Sequence, residues 1–436
     1  LRGPLNQMTL AAAQPVARSI GISPTAPGAP SPRLPAEHFA AALGFFTCGA
    51  VGLVWVAGDL ANGLFYLPRV AAVVHLFTLG WIVLSIMGAL CQFLPVAVGR
   101  GLRWPRAAHV SFAAQTLGVA LFVGALASGR RELLHVGACL LSIGFVLFAT
   151  NLAATLAKVS ERNVTWWALA GASVFFVVTP AYGVVLALSL NDGSLGAHRF
   201  EVVAAHAHIA LVGIVLLVIV GVAHRLLPMF LLSHGASERP AWVAVVCLFF
   251  AAAILAVPIG GAVRVLVAWG IATTGVLGFV VQAALFFHHR KRRALDPGMR
   301  LAAVAIAGIA LATVMAPFAL AHGLRDLHLL VAYFVVLLGA ISLFVAAHYF
   351  KIVPFLVWHH RFGALVGTRK VPKVADLFSE RAALVTGALL IGGWSGLALA
   401  SYLGVEALAR FAAVGFAAGA LLETTIIARV ALRRFA

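Results

Sequence analysis

Twelve apolar segments constrain this chain more than any other feature of its sequence. They run roughly over 38–58, 72–97, 107–128, 133–156, 165–190, 200–231, 240–262, 265–288, 300–321, 327–357, 380–403 and 406–430. A helix rises about 1.5 Å per residue, so about 20 residues cross the roughly 30 Å of bilayer hydrocarbon. Lipid offers no partner to a bare peptide group, so segments of this length are satisfied as helices. Composition agrees: 63% of residues are hydrophobic and only 10% charged, which excludes a soluble globular domain. The expected fold is an all-α integral membrane protein of about twelve helices, with the lipid bilayer as its first partner.

The charges then set direction. An even number of spans returns both termini to one side. That side receives 24 of the 31 Lys and Arg, leaving Arg69, Arg130, Arg131, Arg199, Arg264, Arg325 and Arg410 opposite. By the positive-inside rule both termini are expected in the cytoplasm, as in a multi-pass protein of a bacterial-type inner (plasma) membrane. The net charge of +18 follows from this bias, and no nucleic-acid partner is expected. The run His288 to Arg293 reads as a cytoplasmic anchor at the headgroups. Residues 1–36, rich in Pro, Ala, Ser and Gly, are expected to form a flexible cytoplasmic tail ahead of a membrane domain over 37–436. They lack the charged-then-apolar order of a signal peptide, and the chain opens on Leu1, as a sequence shortened at its start would. Cys48, Cys91, Cys139 and Cys247 stand singly, so a disulfide scaffold, a zinc knuckle and covalent c-type haem are not expected.

An internal repeat organises the spans. His75, Gly80, Gly88 and Pro95 align without a gap on His208, Gly213, Gly221 and Pro228, with seven identities in 21 positions. A fainter third copy keeps Gly339, Leu343 and Pro354 but has Phe334 in place of the histidine. The copies start 133 and 126 residues apart, about four spans each. Three pseudo-repeated four-helix units follow, centred on the helices at 72–97, 200–231 and 327–357.

Polar groups inside a membrane are costly and usually mark function. His75, His206, His208 and His328 fall in the outer half, and His224 and His348 nearer the cytoplasm. His206 and His208 lie about 200° apart around one helix, so each faces a different neighbour. Neutral imidazole is a common axial ligand of haem b, and two histidines from two helices hold a low-spin, electron-transferring haem. His38, at the edge of the first span, reads as an interfacial histidine.

His206, His208 and Gly213 resemble the tenth helix of haem-copper oxidase subunit I, the nitric-oxide-reductase branch in particular. His75, Met87, Gly88 and Pro95 are similar to the second helix of that family. The resemblance covers the twelve-helix architecture broadly, but its specific motifs cover about 45 residues. It implies that His75 and His208 ligate a low-spin haem b and that His206 ligates a second haem. It also implies a quinol or cytochrome c as electron donor and the presence of partner subunits. The pattern departs from the family in placing its paired histidines on the sixth span, with no recognisable upstream copper or iron ligands. Copper or non-haem iron would have to draw on His135, His322 and His328. His224 and His348 are candidates for a second haem or quinone site toward the cytoplasm; in the alternative, both snorkel to the interface beside Arg225 and Lys351. No relay of acidic residues from the cytoplasm is legible.

The expected activity is electron transfer, extending to oxygen or nitric-oxide reduction if a metal site is present, as in a respiratory oxidoreductase. Two other readings stay open: a haem and copper protein of nitric-oxide response without respiratory turnover, and a haem-free transporter, for which the mid-helix Pro and Gly would be hinges.

Overall fold

A computed structural model describes residues 31–257 and 261–433. Its helices are α1 (Arg33–Ala61), α2 (Pro68–Val98), α3 (Pro105–Ser128), α4 (Arg131–Leu156), α5 (Val164–Asp192), α6 (Gly196–Leu231), α7 (Arg239–Leu255), α8 (Gly261–His288), α9 (Pro297–His322), α10 (Leu327–Arg361), α11 (Glu380–Leu403) and α12 (Glu406–Leu432). The chain is an all-α membrane protein. Eleven of these helices are long and apolar enough to cross a bilayer; α7, with 17 residues, is shorter. Most of the expected tail, residues 1–30, lies outside the described residues, but α1 starts at Arg33, inside the stretch read as tail.

Helix starts are set by local chemistry. Asn163, Asp296, Asp326 and Ser379 each accept a backbone N–H three residues on, satisfying a donor that the first turn leaves open. Asp296 also ties two helices together. Its Oδ1 accepts from Met299 N at 3.1 Å, and its Oδ2 accepts from Lys351 Nζ of α10 at 2.6 Å. Asp296→Ala is expected to cost about 2 kcal/mol, the sum of a lost cap and a partly buried cation left without its carboxylate. Asp296→Asn keeps the cap and loses the charge, so thermal unfolding of both variants in detergent separates the two terms. Equal melting points for the two variants would remove the cap from the account.

In the packing α3 pairs with α4, α7 with α8 and α11 with α12, while α4 packs on α5, α8 on α9 and α12 on α1, closing a ring. The helices that the repeat makes equivalent lie inside that ring. In their central stretches 61% of α2, 61% of α6 and 67% of α10 is buried, against 28 to 50% for the other spanning helices. Side chains such as Leu117, Phe250, Val314 and Phe411 stand exposed on the outside, an apolar surface suited to lipid tails.

The glycines explain how the inner helices come so close. A Cβ on Gly80 would lie 2.6 Å from Phe45 Cβ of α1, and one on Gly213 would lie 2.5 Å from Phe175 Cγ of α5. The same aromatic thus fills the same notch in the first two units, the small-residue packing expected between membrane helices. In the third, Gly339 receives Trp394 of α11 instead.

Candidate functional site

Pro68 opens α2 at a position where its missing N–H costs nothing, and His75 follows two turns in. Directly after His75 the helix widens into a π-helical stretch, Leu76–Val83. The same happens directly after His208, over Ile209–Leu216, so the two stretches coincide when the repeat is superposed. α10, which has Phe334 at this point, runs on as regular α-helix. A π turn adds a residue per turn and re-aims the side chains around it, and such turns concentrate at functional sites. Here they accompany the histidine.

Three imidazoles are fixed by backbone carbonyls. A carbonyl only accepts, so in each case Nδ1 carries the proton and Nε2 keeps its lone pair. His75 Nδ1 donates to Ala71 O at 2.7 Å, and its ring meets Phe122 of α3 edge-on. His206 Nδ1 donates across to Thr179 O of α5 at 3.2 Å, and Gly183 leaves room for the ring, since a Cβ there would sit 3.3 Å from His206 Cε1. His208 Nδ1 donates to Ala204 O at 2.8 Å. Its Nε2 accepts from the Tyr333 hydroxyl of α10 at 3.0 Å, with the two rings 14° from parallel.

His206 and His208 therefore face α5 and α10 respectively, as the helical period requires. All three residues are partly exposed although they sit on enclosed helices. His206 stands within electrostatic reach of His75, and His208 engages Tyr333.

The other candidates are dispersed. Among the described residues no three His, Cys, Asp or Glu side chains are grouped to hold a metal ion, so His135, His322 and His328 are not gathered into one site. His322 donates to its own helix at Phe318 O, and His328 donates to Ser401 O of α11. His224 and His348 do not snorkel: their exposures are 6% and 7%. They also face different surroundings. His224 Nε2 pairs with Glu238 Oε1 at 3.2 Å, with its ring against Phe286 of α8. His348 donates Nδ1 to Phe344 O and borders an apolar cavity of about 70 Å³ between α2, α6 and α10, its Nε2 without a hydrogen-bond partner among the described residues.

Of three further buried polar residues, the sequence reading passes over Tyr333, treats His38 as interfacial and shows Glu423 only as a charge within a span. Tyr333 precedes the phenylalanine that replaces the repeat histidine, and that adjacency was its only signal. His38 is fully buried against Gly88 and Phe112, because α1 begins a turn earlier than its hydropathy suggests. Glu423 is fully buried in α12, both oxygens lacking a hydrogen-bond partner among the described residues, and it lies within electrostatic reach of Tyr349. The Tyr349 hydroxyl bonds Ser85 Oγ at 2.8 Å, joining α10 to α2.

No protein-family model matches this chain, and no curated protein matches it either.

Proposed function

We propose that this chain is a haem-b membrane protein that transfers electrons through a haem held by His75 and His206. One observation carries the reading: two imidazoles on the inner helices α2 and α6 stand within electrostatic reach, half-buried, each with Nδ1 tied to a carbonyl. That arrangement fits the ligand chemistry, because an imidazole whose outer N–H is bonded to a carbonyl is fixed in tautomer and orientation and is a stronger base at Nε2. The neighbouring Phe122 and Gly183 supply an apolar wall and space. Bound haem b would supply one-electron redox chemistry; the protein's part is to hold, orient and desolvate it.

The excess of Lys and Arg on the face bearing the termini supports a cytoplasmic location for that face, in a bacterial-type inner membrane. The proposed haem then lies toward the outer side, where Arg199 and Arg325 have no ion pair among the described residues and are available to propionates. A lipid-soluble quinol or a separate cytochrome c is the expected donor. His208 would serve a second haem only after giving up Tyr333, so reduction of oxygen or nitric oxide is the further extension of this reading.

The test is a reduced-minus-oxidised absorption spectrum with pyridine haemochrome quantitation on the purified full chain expressed with ample haem. Stoichiometric low-spin haem b is expected. Haem-free protein would overturn the reading and put the transporter first, to be followed by flux measurements in proteoliposomes.

A further inference from the structure

On the face opposite the termini, the ends of α1, α2 and α12 enclose a pocket of about 360 Å³. Its walls carry two ion pairs. Arg69 grips Asp59 through Nε and Nη2, both at 2.7 Å, while Arg410 holds Glu406 Oε1 through Nε and Nη2. Each guanidinium has five N–H donors, and among the described residues Nη1 is left over on both arginines. Among the described residues Glu406 Oε2 is unused as an acceptor, and so is Asn62 Oδ1, whose amide nitrogen donates to Gly58 O at 2.8 Å. The pocket thus offers two spare guanidinium nitrogens and two spare oxygen acceptors, with no net charge.

Its location narrows the ligand. α1 and α12 belong to the outer ring, and Trp55 of α1, which lines the pocket, is 55% exposed where the helix faces lipid. Tryptophan at this depth marks the headgroup level of a membrane protein. Gly58 forms the floor, since a Cβ there would lie 2.9 Å from Glu406 Oε1 and 3.2 Å from Arg410 Nη2. We infer that this pocket binds the headgroup of a zwitterionic phospholipid with a primary ammonium, of the phosphatidylethanolamine type. Arg69 and Arg410 Nη1 take the phosphate, and Glu406 Oε2 with Asn62 Oδ1 takes the ammonium. Guanidinium donors suit phosphate oxygens, and charge-assisted bonds are the strong ones. A purely anionic headgroup brings no cation for Glu406, and a quaternary ammonium brings no N–H to donate.

The experiment uses the full chain in nanodiscs holding equal amounts of phosphatidylethanolamine, phosphatidylcholine and phosphatidylglycerol, with retained lipid counted by native mass spectrometry. One phosphatidylethanolamine per chain is expected, preferred about tenfold over either other lipid, the ratio one charge-assisted hydrogen bond supplies. Glu406→Gln should bring the preference over phosphatidylcholine down to about one. Arg410→Gln should weaken retention of all three. Gly58→Ala displaces the Glu406–Arg410 pair without removing a charge and should lower retention in the same way. Equal retention of the three lipids by the wild type, or an ethanolamine preference that survives Glu406→Gln, would overturn the assignment. Displacement of the bound lipid by soluble phosphoethanolamine would also overturn it, by making a free headgroup the occupant.

Discussion

Alanine at either His75 or His206 is expected to reduce bound low-spin haem b more than about tenfold, whereas His208→Ala keeps it. The asymmetry follows from where the rings point. His75 and His206 share one region of the bundle, while the Nε2 of His208 already accepts a hydrogen bond from Tyr333. All three variants remove one partly buried imidazole and one backbone hydrogen bond, and His208→Ala removes the bond to Tyr333 as well, so a general folding defect would not spare it. Size-exclusion profiles and helical circular dichroism identify that case. Haem lost in the His75 and His208 variants and kept in His206→Ala would restore the pairing that the oxidase-like motif implies and reject the one drawn from the geometry. Tyr333→Phe adds a second reading of the same geometry. It frees His208 Nε2 at a cost of about 1 kcal/mol, and any further haem that then binds would report His208 as a competent ligand.

Much of the architecture was legible because the physics of lipid leaves few choices. Long apolar runs must become helices, and the recurring His, Gly and Pro frame showed which helices are equivalent. The structure puts those helices, α2, α6 and α10, inside the ring. The opposed directions of His206 and His208 were legible too, from helical geometry alone. The π-helical stretches were not, because a change of period leaves no trace in a segment that is apolar on every face. Each begins directly after its histidine and shifts the side chains that follow. Glu423 was visible as a rare charge within a span, but only the three-dimensional packing shows that both its oxygens lack a hydrogen-bond partner among the described residues and that Tyr349 is near. α1 was placed a turn late because the loop-like composition before residue 38 hides the helix start that buries His38.

Gly213→Ala is expected to destabilise the bundle by about 2 kcal/mol, and a larger side chain there to prevent folding. The added Cβ would fall 2.5 Å from Phe175 Cγ, and that ring is 2% exposed within the core, so it has no free direction in which to yield. Gly80→Ala meets Phe45 in the equivalent notch of the first unit and should cost a similar amount. Gly124 is the control: a Cβ there meets nothing within 4 Å, so Gly124→Ala gains helix propensity and raises stability by up to about 1 kcal/mol. The mechanism is tested by the pair. Phe175→Ala alone opens a cavity and costs about 3 kcal/mol or more. In the double variant the new methyl occupies part of the space the ring vacates, so the combined loss falls short of the sum by at least about 1 kcal/mol. Thermal unfolding of the four proteins in one detergent measures that coupling. Strict additivity would mean that the glycine serves the backbone of the π-helical stretch rather than the approach of α5, and the repeat would then be a constraint on helix geometry instead of on packing.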